Sequence, residues 1–159
     1  MLAKEIKTPM IIGVALYGVA VLLNIIVTIV QKAFIPAYTS MNSSGVGMVI
    51  PAALFINIII LFMLGVFLFV MITNKDDNRR TVGTIMIAVY LVVRFLFSFA
   101  GFIEKQIYSR RGAEILVALS AVDNMNAIVT APFLAVSTAF VFVAIGRYGV
   151  SDPNSNFNI

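Results

Sequence analysis

Polar residues interrupt this chain so rarely that apolar runs of about twenty residues, the length needed to cross a bilayer, recur four times. A hydrocarbon core about 30 Å thick takes about 20 residues of helix at 1.5 Å each. The stretches from about Pro9 to Val30, Met48 to Thr73, Thr81 to Ile103 and Asn126 to Gly146 reach that length. Within them, Ile58-Ile59-Ile60-Leu61-Phe62 is apolar on every side. A barrel strand alternates instead, and a lone helix satisfies its own backbone in lipid. The pattern predicts a single all-α domain, an integral membrane four-helix bundle with antiparallel up-down spans.

The connectors refine this picture. Asn74 to Arg80 is short enough only for a tight turn between spans two and three. Ala113 to Val122 is apolar but half a span long, which predicts an interfacial helix between spans three and four. Joined to the fourth span it would make a helix of about 50 Å, so a break is expected around Asp123-Asn124-Met125-Asn126. Pro9 is expected in the first helical turn, where its missing N–H costs nothing. Residues 149–159 read as a polar tail. Asn42-Ser43-Ser44 matches the glycosylation acceptor pattern but lies close to the second span, so Ser40 to Gly47 reads as an ordinary polar loop. The first apolar run is about twice the length of a signal-peptide core, and no small-x-small site follows it, so it reads as a retained anchor.

Composition narrows the chemistry. Apolar residues make up 61% and charged residues 11%, against about 45–50% and about 25% in soluble domains. Mean hydropathy is +1.04. There is no Cys and no His, which excludes disulfides, thiolate nucleophiles, Cys/His zinc sites, bis-His haem and imidazole bases. No metal site and no cofactor are expected. The 11 Lys and Arg outnumber 7 Asp and Glu, but they lie scattered in connectors, so nucleic acid is not a partner. An even number of spans puts Lys4, Lys7, Lys75, Arg79, Arg80 and Arg147 on one side and Lys32, Lys105, Arg110 and Arg111 on the other. The richer side, which precedes the first span, is predicted to be cytoplasmic, with both termini there and the chain in the plasma membrane. Lys75, Arg79, Arg80 and Arg147 are candidate contacts to anionic headgroups. Asp76-Asp77 beside Arg79-Arg80 reads as a solvated, self-neutralising turn.

Arg94 is the one ionisable residue inside a predicted span, about 20 Å from its inner end. A central Arg costs about 2.5–3.5 kcal/mol on the insertion scale. Helical spacing lines it up with Gly83, Ile87, Tyr90, Ser98, Gly101 and Lys105, a stripe that should face other helices or a wet cavity rather than lipid. Asn24 and Asn57 lie at similar depth, so Arg94, Asn24, Asn57, Tyr90 and Ser98 form the candidate intramembrane polar cluster. Arg94 can serve there as an interhelical tie or as a contact for an anion or lipid phosphate. Asn24 also shares a face with Tyr17, Thr28 and Gln31. Ala131, Ala135 and Ala139 make a small-residue stripe suited to close helix packing, with Ser137 and Thr138 beside it. Pro132 should loosen that helix, and Phe95, Phe97, Phe99 and Phe102 read as lipid-facing bulk.

The halves also match weakly. An offset of 70 sets Gly13 on Gly83 and Asn24 on Arg94, and an offset of 81 sets Pro51 on Pro132 and Asn57 on Thr138. A duplicated hairpin would give a pseudo-twofold bundle. For function, the leading reading is a non-enzymatic scaffold, accessory subunit or regulator, with the lipid bilayer and a protein partner or second copy as its company. The alternative is a small oligomeric transporter or channel with Arg94 on an anionic substrate or lipid. A lipid-acting enzyme would have to rely on Glu104, Glu114, Asp123 or the Asp76-Asp77 pair.

Overall fold

The described apolar stretches satisfy their own backbone within helices, as a membrane interior would require. The computed structural model describes residues 4–34, 52–74, 78–109 and 113–150. They form four helices: α1 (Lys4–Phe34), α2 (Ala52–Thr73), α3 (Arg79–Ser109) and α4 (Ala113–Val150). Each contains a stretch long and apolar enough to cross a membrane: Lys4–Val30, Leu54–Thr73, Arg79–Phe97 and Ala127–Val150. Residues 1–3, 35–51, 75–77, 110–112 and 151–159, which include the acceptor pattern at Asn42, Lys75 and the Asp76-Asp77 pair, lie outside the described residues.

The helices form a ring in which α4 packs most extensively on α1 and next on α3, while α2 closes the ring against α1 and α3. Residues early in α1 meet residues late in α4, and the contacts move back along α4 as α1 advances. Glu5 meets Arg147, whereas Gly13 lies against Ser137 and Val141. The close approaches are made by small residues. A Cβ on Gly13 would stand 2.8 Å from Val141 Cγ2 and 3.2 Å from the Ser137 carbonyl, and one on Gly83 would stand 3.3 Å from Gly149 Cα. Ser137, fully buried, donates to the Gly13 carbonyl at 2.6 Å. In a bundle that crosses lipid, where no hydrophobic drive acts between helices, contacts and bonds of this kind would hold it together.

The interior is lined by Tyr17, Tyr90, Tyr148, Met10, Ile60, Leu64, Val141 and Ile145. Large apolar side chains point outward instead, with Phe62 75%, Phe95 72% and Ile128 77% exposed. That surface is far too apolar for water and suits acyl chains. Phe99 and Phe102 face outward as expected, whereas Phe97 is half-buried against the core.

Four expectations need correction. First, α4 is one unbroken helix of 38 residues, about 57 Å long. There is no break at 123–126 and no separate interfacial helix at 113–122. The stretch 113–131 contains neither Gly nor Pro, and isolated Asp or Asn costs a helix only about 0.7 kcal/mol.

Second, Pro9 stands inside α1, past its first turn. It cannot donate to the carbonyl of Glu5, four residues before. Arg147 Nη1 takes that place, donating to the Glu5 carbonyl oxygen at 3.2 Å, which is how a neighbouring helix makes an internal proline tolerable.

Third, Ala131, Ala135 and Ala139 are exposed and do not form the packed face of α4. That face is Thr130, Ser137, Val141, Ala144, Ile145 and Tyr148. Ala131 stands one residue, about 100° of arc, from Thr130.

Fourth, a pseudo-twofold would place Gly83 on α2 if Gly13 lies on α4, yet both glycines approach α4. The α1–α4 interface also far exceeds its would-be equivalent between α2 and α3. The bundle is not a doubled hairpin.

Candidate functional site

Four residues separate Tyr90 from Arg94, so they share one face of α3. Arg94 Nε donates to the Tyr90 hydroxyl at 3.3 Å. Arg94 Nη2 reaches across to α4 and donates to Thr138 Oγ1, also at 3.3 Å. Thr138 Oγ1 lies 3.1 Å from the Tyr90 hydroxyl and donates its own proton to the Leu134 carbonyl at 2.7 Å. A hydroxyl has one proton to give. Thr138 has committed its proton to Leu134, so Tyr90 is the donor in the Tyr90–Thr138 bond. The result is a directed chain, Arg94 to Tyr90 to Thr138 to the α4 backbone.

The guanidinium is also framed by two rings. Its central carbon lies 5.7 Å from the Tyr17 centroid and 5.6 Å from the Tyr90 centroid, within the range of cation–π attraction. Tyr17 comes from α1 and is fully buried. Its hydroxyl donates to Asn57 Oδ1 on α2 at 2.9 Å. Tyr90 meets Phe142 edge to face, with centroids 5.5 Å apart. All four helices therefore contribute to one polar centre with half-buried Arg94 in it.

The structure sorts the sequence candidates as follows. Arg94 and Tyr90 are in direct contact, and Asn57 joins them through Tyr17. Asn24 is buried two turns further along α1, and its described bonds stay within that helix: Thr28 Oγ1 donates to its carbonyl at 2.8 Å and lies 3.5 Å from its Oδ1. Ser98 lies in α3, with its side chain outside the described residues. Two partners were missed, the ring of Tyr17 and the hydroxyl of Thr138. The available signal was tyrosine inside an apolar run, since a buried phenol needs a partner for its hydroxyl.

A second polar group closes the end of the bundle where α2 stops. Asn74 Nδ2 donates to the Tyr148 hydroxyl at 2.9 Å, and Arg79 stacks on the Tyr148 ring at 5.8 Å. Of the headgroup candidates, Arg79 is thus turned onto α4, while Arg80 and Arg147 are exposed.

No family model matches the chain, and neither a curated protein nor a solved structure matches it. Function has to be read from geometry. The described groups of the polar centre are hydroxyls, an amide and a guanidinium, which donate and accept hydrogen bonds between helices. Among the described residues no three His, Cys, Asp or Glu side chains gather into a metal-binding group.

Proposed function

We propose that this chain is an integral protein of the plasma membrane whose helices cross up and down with both termini in the cytoplasm. We further propose that it works without catalysis, as a scaffold, accessory subunit or regulator of a protein partner. One observation carries this reading: the described bonds of Arg94 run to the bundle's own Tyr90 and Thr138, between two of its own rings. A guanidinium used in this way fixes the mutual placement of helices, as buried polar groups in membranes do. The outward Phe, Ile and Leu side chains support insertion, and the Lys/Arg bias at the span ends supports the orientation.

A second reading draws on Arg94 being only half-buried. In an oligomer the same guanidinium could face an anion, and the chain would be a small transporter or channel.

One experiment separates the two. The scaffold reading expects purification in mild detergent to recover a second polypeptide at fixed stoichiometry, whose amount in the membrane falls when this chain is deleted. It also expects liposomes containing this chain alone to conduct no anions. Anion flux that disappears in Arg94→Ala, with no such polypeptide present, contradicts the scaffold and favours the transporter.

A further inference from the structure

A groove of about 700 Å³ lies between the first turns of α1 and the last turns of α4. Its walls are apolar, formed by Pro9 and Ile12 on one side and Ala139 and Val143 on the other. Lys4 and Arg147, both exposed, lie at the helix ends that bound it. Glu5 also borders it, so two cations stand against one carboxylate.

Arg147 is fixed at this rim for a reason written in the sequence. Pro9 leaves the Glu5 carbonyl without its helical donor, and Arg147 Nη1 donates to it at 3.2 Å. That bond engages one of five guanidinium N–H donors. Of the outward alanines, Ala139 lines the groove, and Ala135 and Ala131 follow on the same exposed face of α4 at intervals of about 6 Å. A row of such small side chains leaves room for a hydrocarbon chain laid along the helix.

We propose that this groove binds an anionic phospholipid of the cytoplasmic leaflet. The phosphate lies at Lys4 and Arg147, and an acyl chain lies between α1 and α4 along Ala139 and Ala135. Arg matches phosphate oxygens in paired hydrogen bonds, and basic pockets between membrane helices on the cytoplasmic side suit such headgroups. The site rests on the membrane orientation proposed above, not on the scaffold role.

The test is native mass spectrometry of the full chain in micelles containing equal amounts of phosphatidylglycerol and phosphatidylcholine. With one net cation at the groove and about fivefold preference per net cation, phosphatidylglycerol should be retained about fivefold over phosphatidylcholine. The double variant Lys4→Gln/Arg147→Gln should retain the two lipids about equally. Lys4→Gln alone, at an exposed position, leaves the bond from Arg147 to the Glu5 carbonyl in place and should already reduce the preference severalfold. Ala135→Leu/Ala139→Leu keeps every charge but fills the room along the helix, and should lower retention of phosphatidylglycerol. Equal retention by the native chain, or a preference that survives Lys4→Gln/Arg147→Gln, overturns the proposal. Phosphatidylcholine bound without preference defeats the anionic site alone, whereas retention of neither lipid defeats the membrane reading with it.

Discussion

Tyr90→Ala is expected to destabilise the bundle by about 2–4 kcal/mol, measured by steric trapping or reversible unfolding in bicelles. The ring is buried, meets Phe142 edge to face and lies beneath Arg94, while its hydroxyl links Arg94 to Thr138. Truncation to alanine removes all of these at once. In a water-soluble core an aromatic-to-alanine change costs about 3–5 kcal/mol. The figure is lower here because helices separated in lipid remain in apolar surroundings and lose contacts rather than solvation. Tyr90→Phe isolates the hydroxyl. It keeps both ring contacts and leaves Thr138 bonded to Arg94 and Leu134, so the loss should be about 1 kcal/mol, typical of one intramembrane hydrogen bond. Combined with Arg94→Met in a double-mutant cycle, Tyr90→Phe should show favourable coupling of about 0.5–1.5 kcal/mol. Additive effects, or a Tyr90→Ala loss below about 0.5 kcal/mol, contradict a polar centre tied through this residue.

The face of α3 was legible in the sequence because Gly83, Tyr90 and Arg94 recur at helical spacing and differ from everything around them. Its partners were not. Tyr17 and Asn24 share a face of α1 but stand seven residues apart, about 10 Å along the axis. Only the depth at which α1 sits against α3 decides which of them meets Arg94, and a uniformly apolar helix gives no such reading. The spans themselves were plain from run length. Their ends were less so, because the polar stretch Asp123 to Asn126 interrupts hydropathy without interrupting helix. The alanine row misled for a related reason: in lipid, a small residue is as comfortable facing acyl chains as facing a helix, so spacing alone does not reveal the packed face.

Gly13→Val should separate α1 from α4 and cost about 2–3 kcal/mol, near the upper end for overpacking. Any Cβ there would press on Val141 Cγ2 at 2.8 Å, the Ser137 carbonyl at 3.2 Å and the Val141 nitrogen at 3.3 Å. Two of these are backbone atoms of α4, and the third belongs to a β-branched side chain with little rotamer freedom. The clash therefore relaxes only if the helices move apart. Moving apart stretches the 2.6 Å bond from Ser137 to the Gly13 carbonyl and leaves a buried hydroxyl without its acceptor. Gly18, one helical turn and a residue further on, has nothing within 4 Å of where its Cβ would stand. Gly18→Val is therefore the matched control and should change stability by less than about 0.5 kcal/mol. Equal effects at the two positions contradict the close α1–α4 approach on which the ring of helices depends.

Placing Arg94 in oil and the α1–α4 groove in the inner leaflet both assume that the chain threads the bilayer four times with its ends inside. A chain without cysteine allows a clean measurement, since any single cysteine introduced is the only thiol present. Ser43→Cys, Asn78→Cys, Ser109→Cys and Ser151→Cys sample the successive connectors and the tail. With an impermeant maleimide on intact cells, the account predicts labelling at 43 and 109, and at 78 and 151 only after permeabilisation. Labelling of 43 and 109 from opposite sides, or of all four positions in intact cells, contradicts it.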